Sequence, residues 1–208
     1  MSNTATLRYL PILVALLPAA CAQPGGGVSM IDARADRSAY GMGLDSRDFD
    51  AAAVDAVTEM LSSPAITNKP GGGRWVMAIS RVTNDTMQRI DTDQLIKRIR
   101  VELLKSGKVV TTTTIGANGP EDPLQMEQRS QLRGSREFNQ ATIGRRGTMV
   151  AADLTLSGKL IQQNNRLGDG SQRVDYEFQL TLSDNRGLAI WEGQKPINKV
   201  GSNRTVAW

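Results

Sequence analysis

The sequence predicts an α/β (α+β) domain: a mixed β-sheet flanked by helices and ending in an antiparallel three-stranded meander. Three observations lead to it. Helical-period stripes alternate with β-branched runs over the first two thirds of the chain, one of those stripes is a clean 3.6-residue repeat, and the last third alternates apolar and polar residues with period two.

In chain order, Gln23 to Gly27 reads Gln-Pro-Gly-Gly-Gly inside a segment without either period, so residues 22–45 are expected to be a flexible tether that packs on nothing. From Asp48 to Leu61 the apolar residues Phe49, Ala53, Val57, Met60 and Leu61 share one helical face, and Asp48 and Asp50 complement the dipole of the first turn. Ser62, Ser63 and Pro64 stop this helix, and Lys69 to Gly73 forms a loop. Arg74 to Thr83 is apolar on both faces from Trp75 to Ile79, the pattern of a central strand. After a loop at Asn84 to Thr86, Asp91 and Gln94 have capping-box spacing. Leu95, Ile99 and Leu103, with Ile96 and Leu104, then make the strongest helical stripe, ending at Gly107.

Lys108 to Ile115 is β-branched and reads as a strand, followed by a turn at Gly116 to Asn118 and a polar helix from Glu121 to Leu132. Residues 136–149 read as a short helix and a Gly-rich turn; Gly144 to Gly147 lacks the framework of a phosphate-binding loop. Leu154, Leu156 and Leu160 alternate in one strand, and Val174, Tyr176, Phe178, Leu180 and Leu182 in the next. Asp184 to Gly187 turns into a third, Leu188 to Trp191. Tyr176, Phe178, Leu180 and Leu182 should face the helices together with Trp191, while Asp175, Glu177 and Gln179 face away.

A chain of 208 residues with 39% hydrophobic and 22% charged content supports one core plus appendages. It has no histidine and one cysteine, Cys21, which removes Ser-His-Asp and Cys-His nucleophiles, histidine metal sites and intramolecular disulfides. Neither a cofactor nor a metal is expected. Aromatic content is 4%, too sparse for base-stacking platforms, and the net charge of +4 comes from dispersed positives, so no nucleic-acid partner and no small-molecule substrate is expected. The positive excess is central: residues 74–149 carry 13 basic and 8 acidic side chains, against 4 and 7 in residues 22–73. Within it, Arg133, Arg136, Arg145 and Arg146 are the candidate partner-binding residues, because a cationic patch steers encounter with an acidic surface.

The first residues read as an address. Arg8 precedes a twelve-residue apolar stretch, Tyr9 to Ala20, which is short of the ~20 residues a membrane span needs. Small Ala19 and Ala20 directly before Cys21 resemble a bacterial lipobox, with Pro18 where that pattern usually has Leu. The resemblance implies that Cys21 is the lipidated amino terminus, and Ala22 in the next position implies sorting to the outer membrane, facing the periplasm. The alternative is an ordinary signal peptide leaving a free secreted thiol.

Several segments together resemble one family. Gly43 to Phe49 resembles its opening; Val82 to Thr86, Ile90 to Asp93 and Leu104 to Lys108 its central block; Ala152 to Lys159, Tyr176 to Asp184 and Ile190-Trp191 its end. These resemble the LpoB-like outer-membrane lipoproteins, activators of penicillin-binding proteins, over about residues 40–200. The resemblance implies a fold like the amino-terminal domain of TolB. It divides the chain into a signal peptide (1–20), a lipid anchor and flexible tether (21–45) and a globular domain (46–208). It also implies a non-enzymatic role: binding a class A penicillin-binding protein and raising its activities allosterically.

Two other readings compete. One is a structural or assembly lipoprotein of the envelope that self-associates or joins a secretion channel. The other is a glycan-cleaving enzyme built on Asp153, Asp175, Glu177 and Asp184, although Asp175 and Glu177 fall on the polar face of an alternating strand. A tether of some 25 residues reaches at most ~85 Å and spans ~30 Å on root-mean-square average. If Cys21 is the anchor, Cys21→Ser releases the protein from membranes on fractionation; unchanged membrane association would refute the anchor.

Overall fold

The computed structural model describes residues 41–201. Helix α1 (Ser46–Ser62) is followed by a single turn, α2 (Pro64–Thr67), strand β1 (Trp75–Asp85), helix α3 (Thr92–Lys105) and a short strand β2 (Val109–Thr111). A long excursion carries helix α4 (Pro123–Leu132) and a 3-10 turn (Gln140–Thr142). The described residues close with three 13-residue strands, β3 (Leu154–Arg166), β4 (Gln172–Asp184) and β5 (Ala189–Gly201). The sheet order is β2-β1-β3-β4-β5; β1 runs parallel to both β2 and β3, and β3, β4 and β5 form the antiparallel meander. The predicted class is the observed one. β1 is paired at both edges, but the middle strand is β3, and the two long helices cover one face of the sheet rather than enclosing β1 between layers.

Both long helices pack on one face of this sheet, α1 toward β4 and β5, α3 toward β1 and β2. The core between them joins Ala53, Ala56, Val57 and Met60 of α1 and Leu95, Ile99 and Leu103 of α3 to the inward rows of β1, β3 and β4. On β4 the inward residues Val174, Tyr176, Phe178, Leu180 and Leu182 are all at most 1% exposed, and Asp175, Glu177 and Gln179 alternate to the other face. A bulge in β1 keeps the parity. Ile79 pairs with Leu156 and Val82 with Gly158, so Ser80 and Arg81 together face one residue of β3 and both Ile79 and Val82 point inward.

Local chemistry sets the ends of the elements. Asp45 caps α1, accepting from the amides of Arg47 and Asp48, while the Asp48 carboxylate accepts from the Asp45 amide: a complete capping box. At α3 only half of the expected box forms. The Asp91 carboxylate accepts from Asp93 and Gln94 amides, and the Gln94 side chain lines the groove between α1 and α3 instead of reaching back. Gly107 follows with φ +69°, the left-handed conformation that ends helices. The loop expected at Asn84 to Thr86 starts only after Asp85, and Asn84, at the end of β1, orders it: Asn84 donates to the Gln88 carbonyl and accepts from the Thr86 amide and hydroxyl.

Three expectations need correction. The tether was expected to pack on nothing through residue 45, yet Met42 is 5% exposed against Val174 and Tyr176, the Tyr176 hydroxyl donates to its carbonyl, and Lys199 donates to the carbonyls of Gly41 and Gly43. Residues 21–40 lie outside the described ones. The strand expected at Lys108 to Ile115 is only Val109–Thr111, because the chain turns away from β1 after the Thr112 amide reaches the Met77 carbonyl, and propensity without a pairing partner makes no strand.

The third correction is β5, which runs ten residues past Trp191. Its inward positions are Trp191, Gly193, Lys195, Ile197 and Lys199, and the two lysines pair with Glu59 (2.6 Å) and Asp48 (2.5 Å) of α1. Inward charges and Pro196 are devices of an edge strand, and they hide it from pattern reading. Trp191 lies half-buried against the core with its ring over Gly193, where an added Cβ would sit 2.3 Å from the ring.

Phe178→Ala is expected to cost about 3–5 kcal/mol in urea melts, as a truncation in a closed core. Glu177→Ala on the open face should stay within about 0.5 kcal/mol of the parent. Equal losses would mean that the faces of β4 are misassigned.

Candidate functional site

The four candidate arginines all fall in the excursion between β2 and β3. No residue of α4 is buried, and neither α4 nor the 3-10 turn packs on another element to any extent. The helix forms from local signals. Pro123 occupies its first turn, where a missing N–H costs nothing, and the Asp122 carboxylate accepts from the Gln125 amide. Side chains then brace the irregular part. The Gln140 amide donates to the carbonyls of Leu132, Ser135 and Phe138 and its oxygen accepts from the Gly134 amide, folding the chain tightly after α4. Arg129 reaches from α4 to the Arg145 carbonyl (2.9 Å) and the Thr148 hydroxyl (3.0 Å), and its guanidinium lies so close to Gly144 that an added Cβ would meet it at 2.2 Å.

This bracing decides what the candidate arginines can do. Arg136, Arg145 and Arg146 are exposed, and Arg133, half-buried at the end of α4, has an Nε without a partner. None of the four forms an ion pair among the described residues. Residues 128–150 hold five arginines and a single acidic residue, Glu137. By contrast Arg98, also in the basic middle, is engaged with Asp50. The excursion also carries exposed apolar side chains: Ile115, Leu124, Met126, Phe138, Met149 and Val150. Positive charge interleaved with exposed apolar side chains suits a protein partner. The GRRG stretch forms a turn after the 3-10 element, with no helix N-terminus to hold a phosphate.

Arg129 is the residue that sequence reading missed; its spacing from Gly144 and Thr148 carries no pattern, since it bridges two segments brought together only by the fold. Cys21 lies outside the described residues.

The four carboxylates of the enzymatic reading serve other ends. Asp153 accepts from the Val76 amide and from Lys69 (2.9 Å), which hold its carboxyl below the usual range. Asp184 is lowered in the same way by the Leu188 amide and Arg186. Asp175 pairs with Arg173, and Glu177 accepts from Gln179. A general acid for glycan cleavage needs a carboxyl shifted upward, opposite to the direction at Asp153 and Asp184. Among the described residues no cluster of acidic or cysteine side chains could hold a metal, and no helix is long and apolar enough to cross a membrane.

The model of the family described as "Peptidoglycan-synthase activator LpoB" matches residues 48–197. The chain belongs to the LpoB family. That stretch runs from the first turn of α1 into β5, so the LpoB match includes the whole arginine-bearing excursion. Among solved structures, the LpoB C-terminal domain from Escherichia coli is 20% identical, covering 72% of this chain and 98% of that one with a TM-score of 0.44. The same domain from Salmonella enterica is 18% identical, with coverages of 72% and 98% and a TM-score of 0.41. Lipoprotein GNA1162 from Neisseria meningitidis is 15% identical, with 62%, 87% and 0.37. No curated protein matches the chain.

Arg129→Ala should speed amide hydrogen exchange across residues 133–150 while shifting global stability by no more than about 0.5 kcal/mol, because the excursion opens without the core. Unchanged exchange there would show that Arg129 does not hold the loop.

Proposed function

We propose that this protein is an outer-membrane lipoprotein, anchored through Cys21 by a tether in the periplasm, that binds a class A penicillin-binding protein and activates it allosterically. The observation that carries the reading is membership of the LpoB family over residues 48–197, a family of peptidoglycan-synthase activators and not of enzymes. The amino-terminal pattern supports the location: a short apolar stretch ending in two small residues and the chain's one cysteine.

The excursion supplies the contact surface. Arg136, Arg145 and Arg146 present charge to solvent from a loop fixed by Arg129 and Gln140, so a partner with an acidic face is steered toward a surface already ordered. Activation requires tighter binding to the active state of the synthase than to its resting state. A tenfold shift needs ~1.4 kcal/mol of difference, which a modest interface supplies. Chemistry stays with the synthase.

The test is lipid II polymerisation by the class A penicillin-binding protein of the same cell, with and without the purified chain, at two salt concentrations and alongside direct binding. Stimulation that weakens with salt and with the Arg145→Ala, Arg146→Ala double variant is expected. Absence of both binding and stimulation would overturn the reading in favour of a self-assembling envelope protein. Salt-independent stimulation would retain the activator role and remove the arginine surface.

A further inference from the structure

Away from the arginine loop, α3 and the segment Gly116 to Glu121 enclose a cleft of about 370 Å³. Its floor is Ile79 of β1, one wall is the face of α3 bearing Asp93, Ile96, Lys97 and Arg100, and the rim is the Gly116–Gly119 turn with Pro120 and Glu121. Arg100 is 6% exposed, the one buried charged residue among those described. A guanidinium taken out of water needs close, charge-assisted hydrogen bonds, ordinarily ~2.7–2.9 Å to a carboxylate and often two in parallel. Arg100 has none of that quality. Its Nη1 reaches the Thr112 carbonyl at 3.5 Å, its Nη2 stands 3.8 Å from Glu121, and its Nε has no partner.

Glu121 explains the shortfall without curing it. One of its oxygens is taken by Lys97 at 3.0 Å, which holds its carboxyl below the usual range and keeps it ionised; the other hangs near Arg100 beyond hydrogen-bond reach. The loop is held over α3 by that pair and by Asn118 donating to Asp93 (3.1 Å), both exposed contacts that open at little cost.

We propose that this cleft is a receptor for a carboxylate carried by a peptide, which takes the place of Glu121 on the Arg100 guanidinium as Glu121 swings away. The volume is that of a small-ligand site, and the buried fork, the second cation at Lys97 and the apolar floor at Ile79 suit a carboxylate on a short aliphatic stem. Glu121 is the built-in competitor that occupies the cations weakly until the ligand arrives. This site is separate from the synthase-activation reading: a chain that stimulates no synthase still binds here.

Three acetylated tripeptides test it by NMR titration of the full chain, read at the Arg100 Nε–H and at the Gly116 and Gly119 amides. Ala-Glu-Ala amide offers a side-chain carboxylate, Ala-Ala-Ala with a free end offers a terminal one, and Ala-Gln-Ala amide offers neither. Shifts with either acid and none with the neutral peptide are expected, and the stronger acid identifies the source. Glu121→Gln, with its fold checked by the amide spectrum, should tighten acid binding about fivefold by removing the competitor. Arg100→Lys, keeping charge but losing the fork, should abolish that gain. Equal shifts with the neutral peptide, or no tightening in Glu121→Gln, would overturn the proposal, whether or not the Arg100 variant folds.

Discussion

The fold depends on burying one face of a sheet beneath two helices. With period two, every strand contributes alternate residues to that face, and a slip of one position would exchange the core for the solvent row. β4 meets the demand most plainly, with five consecutive inward positions closed to water. The other strands meet it by local adjustments: β1 inserts a residue at its bulge to bring Val82 back inside, and β5 sends Lys195 and Lys199 inward but neutralises them on α1. The helices answer in kind, since Glu59 and Asp48 stand on α1 where those lysines arrive.

How much of this was legible depended on whether burial acted alone. The rows of β4 and the stripe of α3 are pure burial patterns and were read to within a few residues. β5 was not read beyond Trp191, because Gly193, Lys195 and Lys199 are fixed by a ring stacked above the strand and by acids contributed from more than 130 residues earlier. The lower part of β2 was over-read for the complementary reason: Thr112 to Ile115 have the propensity but nothing to pair with. The docking of Met42 was invisible since its partners, Val174 and Tyr176, lie on a strand near the other end of the domain.

The candidate site was legible in part. Composition located the positive excess, but only the structure separates arginines committed to internal acids, such as Arg98, from those left facing solvent in a loop that the core does not need. That division lets the excursion vary its surface without disturbing the sheet, and it makes Arg129 and Gln140, which touch only their own loop, the residues on which its shape rests.

The contacts of residues 41–48 with β4 and β5 join the two ends of the described domain. Lys199 is separated from Gly43 by 156 positions, and Tyr176 from Met42 by 134, so these contacts close nearly the largest loops the domain contains. During synthesis or translocation the amino-terminal residues emerge first and wait for a partner strand that arrives last. Until β5 pairs with β4, the first turn of α1 lacks the Lys199 ammonium beside Asp48, and the carbonyls of Gly41 and Gly43 lack their donor. Completion of β5 therefore supplies the second half of the clamp on residues 41–48, and a chain cut short before Lys199 would keep Met42 on β4 but lose the ammonium that ties Gly41, Gly43 and Asp48 together.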